Sequence, residues 1–401
     1  MHIIGHLDMD AFFAAVEERD HPEWQNVPLV VGADPKNGRG RGVVSTANYP
    51  ARRYGIHSAM PISRAWALAE AAKRRGEPET VFITPNFPRY SEVSRRIMTL
   101  IGRHVPLIQK VGVDEAYMDF SFCQSFPRAA ALSRTIKEEI KAQEGLTASV
   151  GIGPNKLVAK IASDFQKPDG LTVVTDEEAE DFMAPLPIRK IPGVGPKTEQ
   201  FLARHGIRTA ADVKRLVPEE LERLLGKWGL ALYEKVRGRG SAVLRTAREP
   251  KSIGEQETFA EDTEDLEFLF ERLWAMCRSV LHSLPEEGFQ TFRTVVVTVR
   301  FADFETHTRS HTLPQPAGSL RLLQFEAMKL LMPFLDRREN PYRKLIRLLV
   351  RPWGLIKSGR KISQLCKHAR TTLTNCRPCP RFYPRYSGSS FWKGSAPVSR
   401  F

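Results

Sequence analysis

Ile3-Ile4-Gly5-His6-Leu7-Asp8-Met9-Asp10-Ala11-Phe12-Phe13 reads as an apolar strand that ends on acids and runs straight into a helix. A second acidic pair has a similar setting far along the chain, in Val111-Gly112-Val113-Asp114-Glu115-Ala116-Tyr117-Met118-Asp119. Carboxylates in apolar, strand-like surroundings are hard to keep ionised unless cations hold them there. Hard oxygen ligands left partly open suit Mg²⁺ bound together with substrate phosphates. Asp8, Asp114 and Glu115 are therefore candidate metal ligands, and metal-dependent phosphoryl transfer is the chemistry they imply. Side chains alternate along a strand, so Asp114 and Glu115 face opposite ways unless a tight hairpin at this dipeptide turns both inward.

The 401 residues exceed what one core organises, and an apolar fraction of 42% is that of folded protein, so several domains are expected. No apolar run approaches the roughly 20 residues of a membrane span, and no basic leader precedes the first strand, so no membrane partner and a cytoplasmic location are expected. Five scattered cysteines, Cys123, Cys277, Cys366, Cys376 and Cys379, form no disulfide framework. The net charge of +14 points to a polyanionic partner, but ten of those charges lie in residues 354–401, which hold no acid. The other four belong to residues 1–353, with local clusters at Arg52-Arg53, Lys73-Arg74-Arg75 and Arg237 with Arg239.

After the opening strand and a helix over 11–19, a lobe between residues 21 and 79 holds strands at 28–31 and 43–46. Its Pro50 suits a first helical turn that Asn48 caps. Residues 82–186 alternate helices (90–103, 128–143) with a hairpin at Asp114 and a strand at 148–152, a β-rich core with helices on a face. The helix that follows Pro154 puts Lys156 and Lys160 on one side. Short, glycine-punctuated helices fill 187–240, and 241–251 breaks all periodicity as a linker does. A last module has a strand near 252–259, helices at 266–284 and 320–335, and a β-branched strand at 294–299. Beyond residue 353 no apolar face recurs, as in a disordered arm or a frame-shifted gene end.

Lys190-Ile191-Pro192-Gly193-Val194-Gly195-Pro196-Lys197-Thr198 joins two short helices and has the apolar-Gly-apolar-Gly core of a helix-hairpin-helix. Such a turn presents backbone N–H groups, here with Lys197, to nucleic-acid phosphate whatever the base sequence. The plainer reading is an ordinary glycine-rich connection; a second helical hairpin at 218–236 favours duplex DNA. Tyr49 and Arg52 share a helix face, and Arg52 offers a planar fork to phosphate, although an isolated basic helix end is more often only solvated. The same bland alternative holds for Lys160, and Phe12 and Phe13 read alone as core aromatics. Asp8-Met9-Asp10 also fits a haloacid-dehalogenase-type phosphatase with Asp8 and Asp10 as its acids, but Ala11-Phe12-Phe13 is not how that motif continues. Cys366, His368, Cys376 and Cys379 have no regular zinc spacing and read as incidental.

Taken in order, the Asp8 motif, Ser45-Thr46-Ala47-Asn48-Tyr49-Pro50-Ala51-Arg52, Val113-Asp114-Glu115-Ala116-Tyr117 and Ser149-Val150-Gly151-Ile152-Gly153-Pro154-Asn155-Lys156 through Lys160-Ile161-Ala162-Ser163 resemble the Y family of DNA polymerases, in its DinB-type branch. The likeness spans about residues 1–350 and includes Lys251-Ser252-Ile253-Gly254. It implies a multidomain α+β, right-hand polymerase architecture: a mixed-sheet palm (1–20 and 80–186), small fingers (21–79), an all-helical thumb with the helix-hairpin-helix (187–240), a linker (241–251), an α+β little finger (252–353) and a basic tail (354–401).

The resemblance further implies low-fidelity translesion synthesis on primer-template DNA with deoxynucleoside triphosphates. Two Mg²⁺ ions would be held by Asp8, Asp114, Glu115 and the Met9 backbone carbonyl. Phe12, Phe13, Thr46, Tyr49, Arg52 and Lys160 would meet the nucleotide, with Phe13 as the steric gate against a 2′-hydroxyl. Gly193, Gly195 and Lys197 would meet DNA, and small Ser45 with Val43 would leave room at the nascent base pair. A monomer is expected. A sliding clamp is a further family partner, but its C-terminal peptide is not recognisable, since Gln364-Leu365-Cys366-Lys367-His368 begins like it and then diverges. A non-catalytic helix-hairpin-helix DNA-binding protein is the other class of reading.

Overall fold

The computed structural model describes residues 1–246, 252–286, 288–336, 338–350 and 354–355, and the chain divides into two compact units, Met1–Glu249 and Pro250–Phe401. The expectations for the tail, with its Cys366, His368, Cys376, Cys379 and clamp-like segment, and for Lys251, lie outside the described residues.

In the first unit β1 (Ile4–Met9) leads into α1 (Phe12–Asp20), and a lobe follows with β2 (Leu29–Gly32), β3 (Val44–Ala47), α2 (Tyr49–Arg53), α3 (Ile62–Arg74) and β4 (Val81–Ile83). The chain returns through α4 (Phe87–His104), β5 (Ile108–Lys110), β6 (Glu115–Asp119), α5 (Phe126–Glu144), β7 (Ala148–Gly153), α6 (Lys156–Phe165) and β8 (Leu171–Val173). The main sheet has the order β5-β6-β1-β7-β8, with only β7 and β8 parallel. Ile3, Leu7 and Met9, Ala116 and Met118, and Ala148, Val150 and Ile152 fill the core on one face, where Val93, Ile97 and Ile101 of α4 and Ile136 and Ile140 of α5 meet them.

The lobe's own sheet, β3-β2-β4, takes β4 from beyond residue 79, where the sequence reading ended the lobe. Alternation along β2 explains the arrangement. Leu29 and Val31 join the core of the main sheet while Val30 faces the lobe's core with Val44, Ile56 and Ile62. Short helices α7 (Ala179–Met183), α8 (Pro196–Arg204), α9 (Ala210–Lys214), α10 (Pro218–Leu225) and α11 (Lys227–Lys235) complete this unit around Ile188, Ile191, Leu202 and Leu232. Residues 241–246 have no regular structure, yet they are tied down: the Ser241 carbonyl accepts from Lys156 N, and Arg245 N donates to Gln109 Oε1 at 2.9 Å.

The second unit holds β9 (Ser252–Ile253), β10 (Gln256–Thr263), α12 (Leu266–Ser283), β11 (Phe292–Phe301), β12 (Thr306–Ala317), α13 (Leu320–Leu335), β13 (Ile346–Val350) and β14 (Gly354–Leu355). Central β11 pairs with β12 on one edge and with β13 and β14 on the other. Val295, Val297 and Val299 pack with Leu269 and Leu273 of α12 and Leu323 and Leu331 of α13.

Six charged side chains close a ring behind the main sheet. Arg89 binds Asp20 through two nitrogens (2.7 and 3.1 Å) and reaches Glu92, which binds Arg96; Arg96 grips Glu144 twice (2.7 and 2.9 Å); and Arg19 returns from Glu144 (3.1 Å) to Asp20 (2.8 Å). The ring fastens the C-terminus of α1 to α4 and α5. The Arg89 guanidinium holds the Asp20 carboxyl down at about 2, against an ordinary 3.8. A depressed carboxyl stabilises the fold above its unfolded pKa, and that stability is lost as pH falls through the folded one. Asp20→Asn should therefore lower the thermal midpoint by a constant amount above about pH 4, and the gap to wild type should close as pH approaches 2. Calorimetry across that range checks it.

Candidate active site

The face of the main sheet opposite its core carries the candidate acids. Register sets Asp8 opposite Glu115 on β6 and Ser149 on β7, and His6 opposite Tyr117 and Gly151. The helix α6 lies on this face. An ideal Cβ on Gly151 would come within 2.1 Å of the Ala159 carbonyl oxygen and 2.2 Å of Ser163 N, so glycine there is what lets the helix backbone reach the sheet. Asn155 starts α6, its side chain accepting from Leu157 N and Val158 N. One turn further Lys160 reaches Glu115 Oε2, while Lys156 reaches Gln109 Oε1 (3.5 Å) at the neighbouring strand, so the two lysines do share a side.

The three acids come together through strand pairing. Asp114 sits in the turn between β5 and β6, where its carbonyl accepts from Met9 N at 3.0 Å, and Glu115 is the first residue of β6. Asp8 is bound by Lys167, which follows α6, and Glu115 by Lys160 and by His6 Nε2 at 3.2 Å. These partners, His6 foremost, hold the Glu115 carboxyl down to about 2. Asp114 is pushed the other way, by burial and then by the charge of Asp8. A buried carboxyl raised by its neighbour is the donor chemistry that a divalent cation relieves, and three oxygen-bearing side chains plus a carbonyl suit a hard ion. Among the described residues no three such side chains already close on one point. Asp8 and Glu115 each meet a lysine, and Asp114 lies near enough to feel the charges of Asp8, Glu115 and Lys167.

Asp10, two residues on, is of another kind. It is 3% exposed and accepts from Thr147 Oγ1 (2.9 Å), Ser149 Oγ (2.8 Å) and Asp169 N (2.8 Å), with the Tyr49 hydroxyl at 3.5 Å. A carboxylate so fully engaged ties loops together, a structural role that does not favour the Asp8/Asp10 phosphatase reading.

The lobe contributes a cationic and aromatic wall. Asn48 caps α2, accepting from Ala51 N, as the sequence leads one to expect, and also accepts from Leu29 N. Arg52 donates to the Ala47 carbonyl and lies over the Tyr49 ring at 4.8 Å, so the pair shares a face and Arg53 points away. Burial and Asp10 push the Tyr49 hydroxyl up to about 12, which keeps it a neutral donor. Thr46 lies in β3, next to this helix. On α1, Phe12 is core at 2% exposure, whereas Phe13 is half-buried and stacks on Tyr90 at 4.3 Å, with Phe87 edge-on at 6.0 Å. Ala11 takes a left-handed conformation (φ 47°) and no side chain caps α1, which leaves the first amides of the helix, at Phe12 and Phe13, open beside the acids.

In the helical part, Gly193 has φ 104° and both it and Lys197 are exposed, while Ile191 and Val194 anchor the turn in the core. Gly195 caps α8 with no side chain over the helix amides, and Lys235 secures the turn through the Pro192 carbonyl at 2.8 Å.

Comparison with known proteins supplies the deciding observation. The model of the impB/mucB/samB family matches residues 7–164, that of its C-terminal domain residues 250–349, and the IMS family HHH motif residues 176–207. DNA polymerase IV of Methanoculleus marisnigri is 45% identical over 334 residues, 83% of this chain and 90% of that protein. The chain belongs to the Y family of DNA polymerases, DinB type. DNA polymerase IV 2 of Methanosarcina mazei is similarly 45% identical, over 84% of this chain and 89% of its own length. Among solved structures, a Y-family polymerase chimera of Dbh and Dpo4 has a TM-score of 0.75 at 28% identity, covering 89% of this chain and all of its own. An insertion ternary complex of Dbh DNA polymerase has a TM-score of 0.61 at 28% identity over the same shares.

The polymerase is thus a DNA-directed nucleotidyltransferase of translesion synthesis, with the right-hand architecture of its family, whose members depend on metal ions. No helix among its described residues is long and apolar enough to cross a membrane. Two groups at the polymerase's acids escaped the sequence reading. The spacing of two from Asp8 puts His6 on the same strand face without revealing its role, and no pattern marks Lys167, which lies in the loop after α6. Gly151→Ala should cost roughly 3 kcal/mol, since only backbone atoms meet the new methyl and they cannot turn aside. By shifting α6 about 1 Å it should also slow extension about 100-fold; thermal unfolding and primer-extension rates read both.

Proposed function

We propose that Asp8, Asp114, Glu115 and the Met9 carbonyl hold two Mg²⁺ ions at which the chain adds deoxynucleotides to a primer 3′-hydroxyl. The observation that carries this reading is the pairing of Asp8 with Glu115 across β1 and β6, with Asp114 beside them and raised by burial and by Asp8's charge. Bound there, such ions activate the primer hydroxyl and neutralise charge on the triphosphate. The protein's own share is to place and neutralise. Lys160 and Lys167, paired with carboxylates in the free protein, turn to the triphosphate oxygens when the nucleotide binds. Tyr49 and Arg52 donate to the phosphates with Thr46 beside them, and the open amides of Phe12 and Phe13 add the positive end of α1. The ring of Phe13, held by its stacking on Tyr90, serves as the steric gate that a 2′-hydroxyl would strike.

The partners in this reading are primer-template DNA and deoxynucleoside triphosphates. Gly193, Gly195 and Lys197 hold the DNA backbone without regard to sequence. Residues 1–20 and 80–186 act as palm, 21–79 as fingers with β4 added to their sheet, 187–240 as thumb and 252–353 as little finger, joined by the linker 241–251. The enzyme works as a monomer in the cytoplasm, and exposed Val43 with small Ser45 leaves the loosely policed base-pair site that low-fidelity bypass of damaged bases needs.

Asp114→Ala should reduce Mg²⁺-dependent primer extension at least about 1000-fold while duplex binding persists; undiminished extension would refute the metal assignment. In the same assay Phe13→Ala should incorporate ribonucleotides that wild type rejects, and unchanged sugar selectivity would remove the gate.

A further inference from the structure

His6 is 0% exposed in the middle of the catalytic face, and both of its ring nitrogens are engaged. Nδ1 lies 2.8 Å from Ser163 Oγ, Nε2 lies 3.2 Å from Glu115 Oε2 and 3.5 Å from Lys160 Nζ, and the Tyr117 ring packs against the imidazole at 4.6 Å. Ser163 stands there because Gly151 has no Cβ; the backbone of Ser163 occupies the space opposite His6 that a methyl would fill. The Ser163 hydroxyl is also 2.8 Å from the Lys160 carbonyl, so its one proton has two acceptors to choose from. Given to the carbonyl, it would leave a neutral ring whose bare Nε2 faces the carboxylate oxygen at 3.2 Å, with only the more distant Lys160 ammonium (3.5 Å) to donate to it. Given to Nδ1, it puts the ring proton on Nε2, aimed at Glu115.

Glu115 has a second partner, but of a different character. Lys160 is the end of a flexible side chain, 36% exposed, which the triphosphate competes for. His6 cannot move, since strand, Tyr117 and Ser163 enclose it. Both partners fall on Oε2, and among the described residues nothing is bonded to Oε1. We propose that His6 is a positioning residue for Glu115: with its tautomer set by Ser163, it anchors Oε2 so that Oε1 stays turned toward a divalent ion. The inference rests on the reading of Glu115 as a metal ligand.

The test titrates the full-length protein with Mn²⁺ alone, followed calorimetrically, in wild type, Glu115→Gln, His6→Gln, His6→Asn and His6→Phe, each checked for its thermal midpoint. A glutamine amide reaches the place of Nε2 and can still donate to Glu115; an asparagine amide reaches only that of Nδ1. Orienting groups behind a ligand typically govern affinity about 10–100-fold, so His6→Asn and His6→Phe should weaken Mn²⁺ by that factor and His6→Gln should stay near wild type. The Mg²⁺ concentration for half-maximal primer extension should rise in step, with the nucleotide KM at saturating Mg²⁺ unchanged. Should the histidine variants not fold, Ser163→Ala, which frees the tautomer and leaves the ring, should show the weakening in smaller degree. Equal Mn²⁺ affinity in His6→Phe, or in Ser163→Ala where that variant stands in, overturns the proposal, as does His6→Asn binding as tightly as His6→Gln. Wild-type affinity in Glu115→Gln would instead remove the ligand assignment beneath it.

Discussion

The seating of α6 directly on β7 fixes the geometry of the catalytic centre. Two glycines of one strand, Gly151 and Gly153, clear the way: a Cβ at either would strike the backbone or the Val158 side chain of the helix. With the helix so close, Lys160 arrives over Glu115 and Ser163 over His6, and the loop after the helix brings Lys167 to Asp8 and the Asp169 amide to Asp10. A helix one side-chain layer further out would put every one of these groups beyond hydrogen-bonding distance. The motif Ser149-Val150-Gly151-Ile152-Gly153 is therefore a packing requirement whose product is a catalytic arrangement.

Charge balance follows from that seating. The sheet's two faces differ completely: Leu7, Met9, Ala116 and Val150 on one, His6, Asp8, Glu115 and Ser149 on the other. Acids this close to an apolar core persist because each has compensation of a different kind. Asp8 and Glu115 have lysines, Asp10 has neutral hydroxyl and amide donors, and Asp114 alone is left raised by its surroundings. The chain thus keeps two ammonium groups beside the proposed metal ligands, where they would lower the electrostatic cost of an anionic substrate's approach.

Much of this was legible beforehand, for reasons specific to the residues. Acids that close an apolar strand have few structural uses, so Asp8, Asp114 and Glu115 stood out, and Asn48 before Tyr49-Pro50 announced a capped helix. The strand β12 did not announce itself: Thr306–Ala317 is almost wholly polar and contains two prolines, because it is an edge strand with nearly all its side chains in solvent. His6 was invisible for the opposite reason, since a histidine inside an apolar strand gives no sign of whether its nitrogens serve packing or an acid two residues away. Lys167 belongs to a loop whose path depends on α6, which no local pattern encodes. The reach of the lobe's sheet past residue 79 was hidden likewise, as parallel pairing of β2 with β4 joins segments about fifty residues apart.

That shared sheet constrains how the enzyme can examine its substrate. Strand β2 presents Leu29 and Val31 to the core of the main sheet and Val30 to that of the lobe, so one strand is common to both cores. A lobe grown into its neighbour in this way has no hinge at its root, and swinging it would mean tearing two hydrophobic interiors at once. Under the proposed assignment this lobe would meet each new base pair as a fixed wall, with no closing jaw to reject a distorted template.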